Sequence, residues 1–410
     1  MDRRQWFDWH SWAGFKLSIL MTFVLVTGTL ATISIDIDWA TNSAIRAQHG
    51  QPDRLDWGGI YDAASAAFPG NQFFWISAPQ EAWFNAELVG ADNEGRMFRA
   101  YVDPVTFEVT GTGRWYNWQR FFRQTHRHLM LPTSIGIVIV GLLSIPLFVS
   151  LISSFYIYKR WWRGFFRWPR KGAANAPTKA VRRARTYWGA MHRLAGVWSL
   201  WFVFLIAVTG AWYLVEVSGG NAAYPSVPSV EEPAVEPLEG IRLNELLAEA
   251  ERLYPTLEVK QITLRGWDEG KVLFQGQADA VLVRRRANHV VLNPADAAVV
   301  DIRRGEELSV HARISEAADP LHFGTFGGVI TRWIWFVFGI FMSALSITGV
   351  FLYGLRITRG SVNATAAPSV AWRLSWSELG GGFRWGTLSL VVLALALTAV
   401  IFTANPAVVG

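Results

Sequence analysis

The eight histidines hold most of the chemical potential of this 410-residue chain, which contains no cysteine. The lack of thiols removes disulfides, thiolate nucleophiles, iron–sulfur clusters and thiolate zinc sites together. Five histidines, His10, His126, His128, His192 and His322, stand at the ends of long uncharged stretches. Two imidazoles from facing helices are the ordinary axial ligands of a b-type haem. His10 and His192 precede the first and third stretches, whereas His126, His128 and His322 precede the second and fourth. Successive stretches run in opposite directions, so His10 pairs with His192 at one face of a membrane, and His322 pairs with His126 or His128 at the other. His126 and His128 are two residues apart, about 200° around a helix, so only one of them can serve the same ion.

A porphyrin also needs room beside its helix. Gly14 and Gly196 follow His10 and His192 by four residues, one turn along the same face. Gly28 and Gly210 lie 18 residues beyond those histidines, five whole turns and roughly 27 Å further on, where a second haem would lie. These four glycines are the expected clearance positions. His49, His289 and His311 fall in expected loops or strands and receive no role. The chain shows no Walker A run, no dinucleotide glycine fingerprint, no HExxH and no nucleophile elbow, and so no evident means of binding a nicotinamide or hydrolysing ATP.

Hydropathy sets the elements that must position these residues. The composition is 51% hydrophobic and only 17% charged, against about a quarter charged in soluble domains. Leu17–Ile35, Leu129–Tyr158, Leu194–Val215, Trp333–Leu355 and Trp385–Gly410 contain no Asp, Glu, Lys or Arg. Each is long enough for a helix of about 20 residues to cross a lipid bilayer, which predicts a mainly α-helical bundle of five transmembrane helices. Arg3 and Arg4 ahead of the first stretch resemble a secretory signal, but its length and the lack of a small-residue cleavage site mark it as retained. The loop 159–193 carries eleven Lys or Arg and no acid, and 356–384 carries four Arg and one Glu. The positive-inside rule places both loops and the N-terminus in the cytoplasm, with segments 36–128 and 216–332 and the C-terminus outside. Trp161, Trp162, Phe165, Phe166 and Trp168 interleave with arginines but directly follow a span, so they read as headgroup-layer residues rather than nucleic-acid contacts.

The chain repeats itself. His10, Ala13, Gly14, Val26, Thr27 and Gly28 superpose on His192, Ala195, Gly196, Val208, Thr209 and Gly210, and Asp103-Pro104 matches Asn293-Pro294. Each unit reads as span, external segment, span, with the fifth span added. The external segments read as two small α+β domains, a helix followed by an antiparallel sheet. The first has a helix over 57–68 and strands over 73–77, 83–88 and 97–102. The second has a helix around Leu243, Leu246, Leu247, Ala250 and Leu253, with Asn244 as a candidate cap, then strands over 260–265, 271–277 and 289–293. The stretch 219–240, rich in Pro and Glu, reads as a mobile linker.

At these residues the chain resembles the PepSY-associated transmembrane proteins of Gram-negative bacteria, which include inner-membrane ferric-siderophore reductases. The matching pieces are Trp9-His10-Ser11-Trp12-Ala13-Gly14, Met191-His192-Arg193-Leu194-Ala195-Gly196, His126-Arg127-His128-Leu129, Pro320-Leu321-His322 and the turns at Asp103-Pro104 and Asn293-Pro294. The resemblance covers nearly the whole chain. It implies a bacterial inner-membrane location, PepSY-like periplasmic domains, two haem b groups and reduction of a periplasmic ferric siderophore by an unidentified electron donor. It favours His126 over His128 as the ligand. Two alternatives remain at this point: a non-redox, membrane-anchored binding or regulatory protein, and a permease for the iron complex.

Overall fold

The structure, a computed structural model, describes residues 2–169, 180–230, 238–265, 269–360 and 369–404. Helices α1 (Arg3–Lys16) and α2 (Ser18–Thr32) break at Leu17 and meet at 69°. Asp2 and Gln5 cap α1 reciprocally. The expected first span is therefore a bent pair, not one straight helix, and α3 (Ser34–Thr41) carries the chain out of the bundle. The first α+β unit follows as α4 (Trp57–Ala67), β1 (Gln72–Ser77), β2 (Ala86–Ala91), β3 (Met97–Val102) and β4 (Val109–Arg114). Then come α5 (Trp118–His128), α6 (Thr133–Gly141), α7 (Ser144–Ile157) and α8 (Ala180–Val215). The second unit is α9 (Gly240–Leu253), β5 (Glu258–Thr263), β6 (Val272–Gln277), β7 (Asn288–Leu292) and β8 (Val299–Arg303). The chain ends with α10 (Val310–Phe323), α11 (Gly328–Gly360), α12 (Ser369–Glu378) and α13 (Gly381–Ala404). Among the described residues four helices are long and apolar enough to span a membrane, or five with the bent pair counted as one. The protein is thus a multi-span helical membrane protein with strand-rich segments between its helices.

The two expected α+β units are not separate domains. Their strands form one eight-stranded antiparallel sheet in the order β4-β3-β2-β1-β5-β6-β7-β8. Its joint is the β1–β5 pair, where Ile76 faces Ile262, and the core is shared: Ile60, Phe98, Leu246, Tyr254 and Phe274 belong to one buried cluster. Above the joint α4 crosses α9 so closely that a Cβ on Gly58 would run into the carbonyl of Gly240. Asn244 does not cap its own helix, whose N-cap is Glu239. It accepts from the Gly58 amide at 3.0 Å and donates to Asp56 at 2.7 Å, tying the two units together.

Other differences are local. The second strand begins at Ala86 rather than 83, because Phe84 bridges to Arg46 instead. Of the expected linker, 231–237 lies outside the described residues, whereas Ala222 is buried and the Tyr224 hydroxyl donates to Glu316 at 2.7 Å. Much of the basic loop, 170–179, also lies outside them. Two arginines join sheet to bundle: buried Arg332 on α11 pairs with Asp36 on α3 and Glu81 after β1, and half-buried Arg284 pairs with Glu316 and Asp319 on α10.

Replacing Gly58 by Val should force α4 and α9 apart and lower the thermal midpoint of the detergent-solubilised protein, with a cost of about 1–3 kcal/mol for overpacking a close contact. Near-ultraviolet circular dichroism on heating provides the check, and an unchanged midpoint would contradict the shared-core description.

Candidate functional site

The histidines at the sheet end do not begin the spans, as the sequence reading expected. They sit on separate helices, His126 near the end of α5 and His322 near the end of α10, each stopped by left-handed backbone. Leu129 and Met130 have φ of 55° and 59°, and Gly324 has φ of 69°. Leu129 is fully buried, so packing holds it in a conformation that a leucine disfavours. At the other end of α5, the Asp38 carboxylate accepts from the Trp118 and Gln119 amides at 2.8 and 3.0 Å, and Asn117 accepts from Arg120. Four orphan amides begin any helix, and here α3 supplies much of what α5 needs.

Four of the five candidate histidines come together in two pairs. His10 on α1 and His192 on α8 have ring centroids 6.4 Å apart with planes at 89°. His126 and His322 have centroids 6.0 Å apart with planes at 37°. The fifth, His128, bonds the Leu131 carbonyl of its own turn at 2.8 Å and joins neither pair. The pairs are well separated: seventeen residues of α8 run from His192 to Thr209, which bonds His322, a rise of about 25 Å.

Every paired imidazole is tied down through Nδ1. That atom of His10 lies 3.1 Å from the Ser150 carbonyl and 3.0 Å from the Ser153 hydroxyl. In His192 it lies 2.8 Å from the Thr348 hydroxyl, in His126 2.8 Å from the Val24 carbonyl, and in His322 2.7 Å from the Thr209 hydroxyl. A carbonyl only accepts, so His126 must carry its proton on Nδ1. No hydrogen bond to Nε2 occurs in any of the four rings among the described residues, which leaves that atom with its lone pair. This is the arrangement of a ligating histidine, whose second nitrogen is held by an acceptor.

The spacing suits a shared ion. Two imidazoles bound on opposite sides of a metal at about 2.0 Å per bond place their centroids roughly 6.3 Å apart. Among the described residues no group of three or more His, Asp or Glu could hold a metal ion. Beside His10 and His192 lies a cavity of about 1460 Å³, bordered by Gly14 and Gly196 and by Met21, Leu147 and Met342 at its apolar depth. Arg3, Arg4, Arg167, Arg185, Arg193 and Arg356 also line it, with no carboxylate among its lining residues. The residues at this end therefore fit a porphyrin in room, ligands and charge. The cavity does not extend to His126 or His322, where the fit rests on spacing and on Nδ1.

The glycines divide. A Cβ on Gly14 would meet nothing within 4 Å, and those on Gly196 and Gly210 would touch only Leu345 and Ser144 at 3.7 Å. A Cβ on Gly28 would lie 2.5 Å from Cε1 of His126, so this glycine makes room for the histidine itself. Sequence reasoning missed Thr209, Thr348, Ser150 and Val24. For Thr209 the signal is its place in the Val-Thr-Gly repeat, directly before Gly210. Of the unassigned histidines, His49 bonds Asp103 at 3.0 Å, His289 bonds Asp301 at 2.8 Å and His311 bonds the Gly220 carbonyl at 3.1 Å.

Residues 7–356 match the PepSY-associated TM region, and the chain belongs to that family. No curated protein matches the chain.

Burial raises the Asp38 carboxyl from its ordinary 3.8 to about 6, against the two amide bonds that lower it. The folded state thus holds this proton more readily than the unfolded chain, and Asp38 makes stability fall as pH rises from about 4 to about 6. Asp38→Asn should flatten the thermal midpoint across that window, as measured in detergent at constant ionic strength; a slope equal to wild type would remove Asp38 as its source.

Proposed function

We propose that this chain is a haem-dependent membrane oxidoreductase that reduces a ferric siderophore. His10 and His192 hold one haem b, and His126 and His322 hold a second. Electrons enter on the side of the basic loops, which the positive-inside rule assigns to the cytoplasm, and leave on the side of the sheet, the periplasm. The observation that carries this reading is the presence of two imidazole pairs at ligand spacing, with each Nδ1 already engaged.

Haem b, if held by these imidazoles, would supply one-electron transfer. The chain orients the four rings through Ser150, Thr348, Val24 and Thr209. Met21, Leu147 and Met342 give the cavity an apolar lining, and the arginines along the same cavity would offer positive charge to the acidic side chains of the cofactor. The sheet side receives the substrate, in which Fe³⁺ gains one electron, given up by a reduced electron carrier on the opposite side that is itself oxidised, to become Fe²⁺. Hard oxygen donors hold the reduced ion less tightly, so it is released.

Purified in mild detergent from haem-replete cells, the protein should be red and carry about two haems per chain. His10→Ala and His192→Ala should remove one component of the spectrum, His126→Ala and His322→Ala the other, and His128→Ala neither. The perpendicular rings of the first pair should give a more anisotropic low-spin electron paramagnetic resonance signal than the second. A colourless protein would favour the anchored, non-redox alternative.

Dithionite-reduced protein freed of excess reductant should be reoxidised by a ferric hydroxamate siderophore, with Fe²⁺ appearing in a ferrous chelator. Reoxidation by small non-iron acceptors alone, across a panel of ferric siderophores, would exclude iron as the substrate.

A further inference from the structure

The triplet of a β-branched residue, Thr and Gly occurs on three helices that meet a paired histidine: Val26-Thr27-Gly28 on α2, Val208-Thr209-Gly210 on α8 and Ile347-Thr348-Gly349 on α11. From its contacts we infer that Thr209 and Thr348 are positioning residues, whose hydroxyl oxygens accept the Nδ1–H of His322 and His192 and so present Nε2 of each ring to the metal. The inference rests on the haem reading for its consequences and on geometry for its substance.

The hydroxyl proton is already committed at both positions. Thr209 donates to the Leu205 carbonyl at 2.7 Å, and Thr348 donates to the Ala344 carbonyl at 2.6 Å. What each oxygen has left for the imidazole is a lone pair. The opposite tautomer would leave an Nε2–H inside the bundle with no acceptor among the described residues, and an unmet buried donor costs about 1–3 kcal/mol. The following glycine is not what admits the ring: a Cβ on Gly349 would stand in ordinary contact with Cε1 of His192 at 3.6 Å, and one on Gly210 would meet only Ser144. On α2 the contact is displaced. Thr27 turns its hydroxyl back to Phe23 and Val24, and His126 bonds the Val24 carbonyl directly.

Each pair therefore combines one imidazole that can use a main-chain carbonyl, His10 or His126, with one held by a threonine. Only the second kind can be altered by substitution without moving the backbone. An acceptor on Nδ1–H makes the imidazole a stronger donor and favours ferric iron; its removal favours ferrous iron.

Thr348→Val and Thr209→Val keep the side-chain shape and delete the acceptor. In haem-loaded protein, Thr348→Val should shift the reduction equilibrium of the His10/His192 component about tenfold towards the reduced form, a rise of ~59 mV for one electron, and leave the other component unchanged. Thr209→Val should do the converse, and the Ser variants should restore both potentials. In haem-free protein, nitrogen-15 resonances of the histidines should report Nδ1–H for His192 and His322, a state lost in the Val variants. Wild-type rings protonated on Nε2, or potentials unmoved by both Val variants in protein that binds two haems, would overturn the inference. Wild-type protein that binds no haem but shows Nδ1–H rings would end the oxidoreductase reading alone.

Discussion

A neutral imidazole inside a helix bundle has one N–H that must find an acceptor and one lone pair free for other use. In this protein the first requirement is met four times by an atom on a neighbouring helix. The acceptors come from α7, α2, α8 and α11, so the packing of the bundle and the orientation of the rings are one constraint. Gly28 shows how tight it is, because any side chain there would occupy the place of the His126 ring. With Nδ1 used in each ring, Nε2 remains as the ring atom without a hydrogen bond among the described residues.

The sheet controls the second pair. Its two outermost strands, β4 and β8, lead directly into α5 and α10, the helices that carry His126 and His322. Pairing of β1 with β5 joins the halves into a single sheet, and this continuity sets where those two helices begin. Arginines then fasten each half to the bundle, buried Arg332 to Asp36 and Glu81, and half-buried Arg284 to Glu316 and Asp319. Buried ion pairs contribute little net stability but tolerate few geometries, which suits elements that must hold two rings at one separation. Tyr213 adds a further link, donating to Asp319 at 2.6 Å while its ring stands edge-on to His322.

Much of this was legible in the sequence by itself. Charge-free stretches mark the spans because an unpaired charge is costly in hydrocarbon. Alternation and helical spacing locate the helix over 57–68 and most of the strands, and the Asn293-Pro294 turn stands where its residues require it. The grouping of histidines by depth follows from the alternating direction of successive spans. Local chemistry determines all of these features, so residue order is enough to read them.

Tertiary structure alone decided the rest. The joining of two α+β units through β1 and β5 depends on which strand edges meet, and no local pattern carries that information. The pairing of His126 rather than His128 with His322, which the family resemblance favoured but the spacing of the two left open, depends on the path of the chain through Leu129 and Met130, two residues whose left-handed backbone is held by packing and not by their type. The break at Leu17 likewise has no glycine or proline to announce it. The roles of Thr209 and Thr348 were hidden for the same reason: a threonine in an apolar helix ordinarily bonds its own turn, and only the approach of a second helix turns its remaining lone pair into the acceptor for a histidine.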